Sequence, residues 1–361
     1  MTRDIYSVIV GSGSYLPTRR VPNDEFLDHR FFNPDGSPID PTQNAKTVRK
    51  FGEITEITER RYVTDDLVAS DMALVAAEAA LEAWGGDKEQ LDYVIVAHNF
   101  GDVLADNRRS DMVPTLAARV KQRLEVANPS CIAYDLPFGC PGWLQAVIQA
   151  NYYLRSGDAR RALVIGSETL SRVCDPHDRD SMFYADGAGA VVLEAREAER
   201  PVGVLTHATR SDTLEYARLL KMDTTYDPEC RSEALYLKMR GRKLYEYALM
   251  NVPGVIVDSL QKAGLELGAI DKILIHQANG KMDRAIAKRL GQRYATTLET
   301  DRLVPMTVSW LGNSSVATLP TLLDLILRGQ LEDHTLNSGD NVIFASVGAG
   351  MNINSVVYRC A

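Results

Sequence analysis

The sequence predicts a duplicated α/β fold, in which two related halves each contain a mostly parallel sheet covered by helices. Three observations support this prediction. Short apolar segments rich in β-branched residues alternate with longer segments of helical periodicity. The short segments, such as YVIVA, ALVIGS, KILIH and NVIFAS, are apolar on both faces, which is typical of strands buried in a parallel sheet. Several segments of the first half also recur, in the same order, in the second half.

The clearest repeat lies at the start of two predicted helices. GCPGWLQAVIQANYYLRSG (139–157) matches GNSSVATLPTLLDLILRG (312–329), and the alignment places Cys140 on Asn313. Two further matches follow the same order: LEAWGGDKEQLDYVIVAHNF with LQKAGLELGAIDKILIHQAN, and DGAGAVVLEA with VGAGMNINSVVY. A duplicated helix start that carries a thiol in one copy and an amide in the other predicts an active site shared by the two halves.

The length of 361 residues suits two layered halves of about 150–200 residues each. The charged, proline-containing segment 194–203 predicts the join, so we expect an N-terminal half at 1–198 and a C-terminal half at 199–361. Residues 28–47 are rich in proline, aspartate and asparagine and predict a loop insertion. Residues 208–242 mix charged and aromatic side chains and predict a second excursion from the sheets.

Composition and charge argue against several classes of function. The net charge of −8 and the pI near 5.4 disfavour a nucleic-acid-binding surface. No segment approaches the roughly 18 apolar residues of a transmembrane helix, and the N-terminus lacks the apolar stretch of a signal peptide. The five cysteines are widely spaced, with no zinc-type cluster. We therefore expect a cytoplasmic protein with reduced thiols, no metal, no cofactor, and neither nucleic-acid nor membrane partners.

Cys140 is the candidate nucleophile. It precedes Pro141, and proline is favoured in the first turn of a helix because its missing N–H is no loss there. We expect Cys140 at a helix N-terminus, where the helix dipole and free N–H groups would lower the pKa of the thiol. A thiolate is a good nucleophile toward thioesters. A buried structural cysteine explains this segment equally well, because most free cysteines are buried.

His276 and Asn313 are the candidate partners of the thiol. His276 ends the apolar strand KILIH, and ligands of open α/β sheets bind at the carboxyl ends of the strands. Its neutral imidazole could donate a hydrogen bond or accept a proton. Asn313 occupies the repeat position of Cys140, and its amide could donate to a developing oxyanion. Taken singly, a satisfied histidine at a strand end and a helix-capping asparagine are the simpler interpretations.

A glycine loop, Gly348-Ala349-Gly350, lies between two predicted strands. Glycines there allow the backbone to approach a ligand and expose N–H groups, although a plain β-turn is the simpler interpretation. Jointly, the thiol, the imidazole, the amide and this loop lie on matching edges of two duplicated halves. That combination is much more specific than any of its members.

These segments resemble β-ketoacyl-ACP synthase III and its relatives in the thiolase superfamily. The resemblance is carried by GCPGW, IHQANGKMDRAIAKRLG, LGNSSVATLPTLLD and VGAGMNINSVV, and it extends over nearly the whole chain, including IVGSGSYLP and EITERRYV. It implies a duplicated thiolase-like fold of five layers, αβαβα. It also implies a homodimer, with the active site at the end of a narrow pantetheine tunnel.

The resemblance implies a role for each site residue. Cys140 would carry an acyl group as a thioester, and His276 and Asn313 would hydrogen-bond the enolate oxygen formed when a malonyl thioester loses CO₂. The backbone N–H groups of Cys140 and Ala349 would form the oxyanion hole. The enzyme would be an acyltransferase, or ketosynthase, that joins acyl thioesters by Claisen condensation. Its second substrate would be a malonyl or β-ketoacyl thioester on an acyl carrier protein.

Some positions depart from the family's pattern. Phe51 and Thr55 stand where the family often has a tryptophan and an arginine that bind coenzyme A, which favours an acyl carrier protein as donor. Lys281 stands where an arginine often receives the carrier. Met351 takes a place often held by an aromatic residue. These changes indicate a specialised synthase. The candidate substrate-binding residues are Phe51, Thr55, Lys281, Gly348, Gly350 and Met351.

Other functions remain open at this point. The chain could join two acyl thioesters without decarboxylation, as resorcinol- and quinolone-forming relatives do. It could also be a silent acyl-binding partner subunit, although such chains normally lack the nucleophile. Degradative thiolases have a second cysteine near the C-terminal glycine loop, which SVGAGMNIN lacks. Hydroxymethylglutaryl-CoA synthases need a general-base glutamate, for which the sequence offers no convincing candidate.

Overall fold

The computed structural model describes residues 4–361 and contains two large sheets with helices between them and on their outer faces. Two small antiparallel sheets of two strands each, β2 with β3 and β9 with β10, lie outside the large ones. The strands are β1 (Asp4–Tyr15), β2 (Arg19–Pro22), β3 (Glu59–Tyr62), β4 (Tyr93–His98), β5 (Ile132–Pro137), β6 (Arg161–Thr169), β7 (Asp186–Ala198), β8 (Gly203–Ser211), β9 (Leu220–Asp223), β10 (Tyr236–Met239), β11 (Lys272–Ile275), β12 (Asn341–Gly348) and β13 (Asn352–Arg359).

The helices differ widely in length, and the longest carry the apolar faces that cover the sheets. None of those found between residues 4 and 361 is both long and apolar enough to cross a membrane. The helices are α1 (Asn44–Thr55), α2 (Ala69–Trp84), α3 (Leu116–Arg123), α4 (Gly142–Ser156), α5 (Thr213–Tyr216), α6 (Gly241–Ala263), α7 (Gly280–Arg293), α8 (Thr300–Leu303), α9 (Val308–Leu311) and α10 (Thr318–Leu327).

The two large sheets have corresponding strand orders. The first runs β1-β7-β6-β4-β5, and the second runs β8-β13-β12-β11. In both sheets the first two pairings are antiparallel and the next is parallel. This correspondence supports the duplication that the sequence repeats predict. We propose that the halves divide at residues 198 and 199, between the end of β7 and the start of β8.

The prediction of mostly parallel sheets is wrong, because both sheets are mixed. Only the pairings of β4 with β5 and β6, and of β11 with β12, are parallel. The strands are apolar on both faces because helices cover both faces of each sheet, and this burial does not require parallel pairing. The short connection from β12 to β13 permits only a hairpin, so that pair is antiparallel.

Five layers follow from the way side chains alternate along the strands. In the first sheet, Ile95 and Val164 face the middle helices α4 and α10, whereas Val96 and Ile165 face α2 and α3. In the second sheet, one set of side chains, including Phe344, joins the same middle cluster, and the alternate set packs against α6 and α7. The molecule is therefore built as helices, sheet, helices, sheet and helices, as the thiolase-like prediction requires.

Only some of the sequence repeats have matching backbone conformations. Gly139 and Gly312 both have a φ of +73°, a conformation that favours glycine, and each precedes a helix of the middle layer. The third match holds in sequence only. Residues 187–189 lie inside β7, whereas residues 348–350 turn from β12 into β13.

The two predicted excursions are present with shifted limits. Residues 28–43 have little regular structure, but α1 begins at Asn44, so the loop ends before residue 47. Helix α1 packs its apolar face, which includes Val48 and Phe51, against a small core cluster. The second excursion, between β8 and α6, contains α5 and the hairpin of β9 and β10. All five cysteines are unpaired thiols in the structure.

Candidate active site

Cys140, His276 and Asn313 line a single cavity of about 250 Å³. They come from three separate segments: the turn before α4, the end of β11 and the turn before α10. The first belongs to one half of the molecule and the other two belong to the second half. The structure therefore brings together the three residues that the repeats and the strand-end position singled out.

Cys140 lies in a tight turn at the start of α4. Gly139 has a left-handed φ, its carbonyl accepts a hydrogen bond from the Gly142 N–H at 2.9 Å, and the helix begins at Gly142 after Pro141. Helix α4 carries Trp143 and Leu144 into the middle core, which fixes the turn. The predicted position at a helix N-terminus is confirmed.

The predicted lowering of the Cys140 pKa is wrong. Burial raises the pKa of the thiol to about 11, although the hydrogen bond from Ser315 and the backbone at Cys140 act in the opposite direction. The residue is only partly accessible, and it faces the cavity. Desolvation disfavours the anion in such surroundings more strongly than one hydroxyl donor favours it. The thiol is therefore protonated near pH 7 before a substrate enters.

His276 follows β11, and its backbone N–H donates to the Ala345 carbonyl at 2.8 Å, which extends the parallel pairing by one residue. Asn279 then caps α7 by accepting from the Met282 N–H at 3.1 Å. The imidazole is buried, and burial lowers its pKa to about 4. His276 is thus neutral near pH 7, and its Nδ1 has no hydrogen-bond partner among the described residues.

Two backbone hydrogen bonds, one from its N–H and one to its carbonyl, fix the position of Asn313. Its N–H donates to the Phe183 carbonyl at 3.0 Å, and its carbonyl accepts from the Ala185 N–H at 2.8 Å. The side-chain oxygen accepts from the Ser315 N–H at 2.9 Å. Because the oxygen is engaged by the backbone, the amide group can offer its N–H₂ to a ligand in the cavity.

The glycine loop approaches the Cys140 turn closely. A Cβ on Gly348 would lie 2.6 Å from the backbone nitrogen of Cys140, and one on Gly139 would lie 2.9 Å from the backbone nitrogen of Ala349. Only glycine allows the two segments to face each other at this separation. This contact brings the backbone at Cys140 close to the backbone at Ala349, the two positions predicted to form the oxyanion hole.

The remaining wall of the cavity is mostly apolar. Residues of β9 and β10, Lys221 among them, cover one part of it, and Phe100, Leu170 and Tyr184 form another part of the wall. The Tyr184 hydroxyl is buried and has no partner within residues 4–361. The apolar side chains from the hairpin and the adjacent helices are Leu220, Met222, Leu237, Met239, Leu244 and Met282.

The predicted substrate-binding residues lie in different places. Gly348 lines the cavity, and Lys281 is exposed in the first turn of α7, next to the cavity-lining Met282. Phe51 and Thr55 are buried and instead border a separate surface groove with Lys46, Lys50 and Arg179. Met351 is fully buried in the core beneath α6, and Gly350 forms the turn beside it.

Three residues that the sequence reasoning missed form a polar chain behind the thiol. Ser315 donates to the Cys140 sulfur, Asn99 donates to Ser315, and Asn99 also donates to the buried Glu168. Ser315 stands two residues after Asn313, and Glu168 belongs to the GSETL segment of the resemblance. Their meeting depends on three distant parts of the chain, so no local pattern could have revealed it.

Comparison with known proteins agrees with this geometry. The family model described as 3-oxoacyl-[acyl-carrier-protein (ACP)] synthase III matches residues 134–213, and the model of its C-terminal part matches residues 260–360. A β-ketoacyl-[acyl-carrier-protein] synthase III from Neisseria meningitidis is 33% identical over 356 residues, which is 98% of this chain and 99% of the relative. This chain belongs to the β-ketoacyl-ACP synthase III family.

Solved structures of this family superimpose on nearly the whole chain. The synthase III of Aquifex aeolicus VF5 has a TM-score of 0.79 at 25% identity and covers 98% of this chain and 99% of its own. The priming β-ketosynthase of the R1128 polyketide pathway has a TM-score of 0.80 at 25% identity, with coverages of 99% and 97%. OleA of Xanthomonas campestris, at 19% identity and a TM-score of 0.76, shows the shared fold alone.

Family membership determines the class of reaction. The chain is a condensing enzyme of the thiolase superfamily, and it forms a carbon–carbon bond by Claisen condensation of acyl thioesters. The duplicated five-layer fold predicted from the resemblance is confirmed.

Proposed function

We propose that Cys140 is the nucleophile that accepts the acyl group, and that His276 and Asn313 serve the condensation that follows. The observation that carries this proposal is the shared cavity, which places a thiol, a neutral imidazole and an amide donor around one apolar space. The acyl donor and the second substrate are both thioesters, and an acyl carrier protein presents at least the second.

In the first step the Cys140 sulfur attacks the carbonyl carbon of the acyl thioester. A bond forms between sulfur and that carbon, the carbon–sulfur bond to the carrier breaks, and the carrier thiol leaves with the proton that Cys140 gives up. The N–H groups of Cys140 and Ala349 hold the oxyanion of the tetrahedral intermediate, since the glycines at 139 and 348 bring them together.

In the second step a malonyl thioester occupies the same cavity. Its bond to the carboxylate breaks, CO₂ leaves, and the electron pair forms an enolate whose oxygen accepts hydrogen bonds from His276 and Asn313. The enolate carbon attacks the acyl carbon on Cys140, and the bond from that carbon to sulfur breaks. The products are a β-ketoacyl thioester and the free Cys140 thiolate.

The carrier protein is expected to approach at the start of α7. Lys281 is exposed there, and its neighbour Met282 lines the cavity. The positive charge suits the phosphate of a pantetheine arm that enters at a helix N-terminus. Phe51 is one of the two residues that depart from the family's coenzyme A pattern, and its ring packs against Phe183 with the ring centroids 5.0 Å apart. Because the ring is engaged inside the protein, it does not serve to bind coenzyme A, which supports a carrier protein as the acyl donor.

We also propose that the enzyme is a cytoplasmic homodimer. Strand β5 is a sheet edge, with Ile132 half exposed, and 87% of Val113 is exposed in the loop before α3, the helix that precedes β5. An unpaired edge beside exposed apolar side chains is a surface that a second copy would cover. Sedimentation velocity should give a dimer for the native chain and a monomer for Val113→Asp combined with Ile132→Asp. A monomeric native chain would contradict the proposal.

One experiment separates the decarboxylating reaction from its alternative, in which two acyl thioesters are joined without loss of CO₂. The enzyme is supplied with an acyl thioester and malonyl-ACP carrying a labelled free carboxylate, and both the released CO₂ and the product mass are measured. Labelled CO₂ in proportion to a β-ketoacyl product supports the proposed reaction. A condensed product that forms from the acyl thioester without release of labelled CO₂ would support the alternative instead.

A further inference from the structure

A chain of hydrogen bonds ends on the Cys140 sulfur. The Ser315 hydroxyl donates to Sγ at 3.3 Å, and Nδ2 of Asn99 donates to the Ser315 Oγ at 3.1 Å. The same Nδ2, at 2.5 Å, and the backbone N–H of Asn99, at 3.0 Å, both donate to Oε2 of Glu168. One oxygen of the Glu168 carboxylate thus accepts two hydrogen bonds from Asn99, one from the backbone and one from the side chain. The second hydrogen of the Asn99 side-chain amide points to Ser315.

The chain is almost closed to solvent. Glu168 is fully buried at the end of β6, and Ser315 is buried before α10. Glu168 does not line the cavity, so it acts on the reaction only through its neighbours. A buried carboxylate that accepts two N–H groups from one asparagine prevents the amide from rotating. The Ser315 oxygen then keeps its acceptor role toward Asn99, and its own hydrogen is directed to sulfur.

The chain has two opposite electrostatic effects on the thiol. The Ser315 hydroxyl favours the thiolate, whereas the negative charge of Glu168 disfavours it, and burial raises the pKa of Glu168 itself to about 7. The other titratable groups around this region are His276, Tyr184 and Lys221, which line the cavity, and His98 and Asp186, which interact with Glu168.

We propose that Ser315, Asn99 and Glu168 are positioning residues that control the ionisation of the Cys140 thiol, with Ser315 as the donor to the thiolate, Asn99 as its anchor and Glu168 as an opposing charge. The proposal rests on the assignment of Cys140 as the nucleophile. It adds three residues to Cys140, His276 and Asn313: Ser315 and Asn99 also line the cavity, whereas Glu168 does not.

The test is the pH dependence of Cys140 alkylation by iodoacetamide, followed by mass spectrometry of the Cys140 peptide. The inflection of the rate reports the pKa of the thiol, and at any fixed pH below the inflection a shift of one pH unit appears as a tenfold change in the alkylation rate. Ser315→Ala should move it upward by about one to two pH units, the value of one hydrogen bond to a charged group. Ser315→Gly should do the same without strain, because Ser315 has a φ of +54°. Asn99→Leu should shift it in the same direction by a smaller amount.

Glu168→Gln should shift the inflection downward, because it removes the charge and keeps an oxygen that can accept from Asn99. If Glu168 only held Asn99 in place, its substitution would shift the inflection upward, as substitution of Ser315 does, and not downward. Ser314→Ala is the matched control, since the Ser314 hydroxyl faces Thr318 instead of Cys140. It should leave the inflection unchanged, and thermal melts of all variants establish that they are folded.

An unchanged inflection in both Ser315 variants would overturn the donor role, and an upward or absent shift in Glu168→Gln would overturn the charge role. Alkylation needs no acyl donor and no carrier. The shifts can therefore be read even if Cys140 accepts no acyl group, so a failure of this proposal is distinguishable from a failure of the proposed function.

Discussion

At the scale of single residues, burial keeps both reactive groups of the cavity uncharged. It raises the pKa of Cys140 to about 11 and lowers that of His276 to about 4, so that neither carries a charge near pH 7. A neutral imidazole can donate a hydrogen bond to an enolate oxygen without holding a positive charge in an apolar space. The site is thus arranged to develop charge only while a substrate is present.

His276→Ala and Asn313→Ala should separate the two steps of the reaction. Both variants should still acquire an acyl group on Cys140, because neither side chain has a role in that step. Condensation should fall by about 10²–10³ in each, the typical effect of removing one donor to an oxyanion. Single-turnover acylation by intact mass and steady-state product formation measure the two steps. Loss of acylation in both variants would contradict this division of roles.

Asp283 provides a residue-scale test of stability. It is fully buried in α7, neither carboxylate oxygen has a partner among the described residues, and burial raises its pKa well above the ordinary value. Arg284 acts against this shift and Glu56 adds to it. Because the folded-state pKa is raised, this carboxyl destabilises the protein increasingly as the pH rises above its unfolded-state value of about 3.9.

Asp283→Asn should therefore stabilise the protein at pH 8 by about 1–3 kcal/mol and have little effect near pH 4. Urea unfolding of both chains at the two pH values measures the difference. The other carboxyls with raised pKa values are present in both chains and cancel in the comparison. A stabilisation that is equal at both pH values, or larger at pH 4, would show that ionisation of Asp283 is not the cause.

At the scale of elements, the reaction depends on how two turns face each other. The start of α4 and the turn after β12 approach closely because both contain glycine at the contact. The sequence repeats predicted the first turn, and the glycine loop predicted the second. Their separation of a few ångströms could not be predicted, because it depends on the packing of the two sheets against the middle helices.

Gly348→Ala should lower both acylation and condensation by about 10²–10³, because each step passes through a tetrahedral oxyanion held by these turns. The added methyl would lie 2.6 Å from the Cys140 nitrogen and force the turns apart. Gly268→Ala is the control, since a Cβ there would have no neighbour within 4 Å. Initial rates of acylation and of condensation are measured for both variants and for the native chain. Normal rates in Gly348→Ala would exclude these N–H groups as the oxyanion hole.

At the scale of the whole molecule, the duplication explains which features the sequence could reveal. The five layers that the family resemblance implied are confirmed, and the residues chosen from the repeated helix starts and the strand end line one cavity. Strand direction was mistaken, because burial on both faces produces the same apolar segments in parallel and mixed sheets. The direction of the Cys140 pKa shift was also mistaken, because burial raises the pKa more than the hydrogen bonds at the turn lower it.

The parts that escaped prediction all depend on contacts between distant segments. Glu168 lies at the end of β6, Asn99 follows β4 and Ser315 precedes α10, and only the packed halves bring them to Cys140. The β9–β10 hairpin that covers the cavity was predicted only as an excursion, because its strands are only four residues long and mix apolar with charged side chains. Family motifs identify such segments but do not show what they cover.

The intact mass of the enzyme after incubation with acyl-ACP or acyl-CoA is the most direct test of the central claim. A gain of one acyl group on the native chain, absent from Cys140→Ala and released when malonyl-ACP is added, is the expected result. If no donor modifies the native chain, or if Cys140→Ala is modified to the same extent, the Cys140 thiol is not the acyl acceptor.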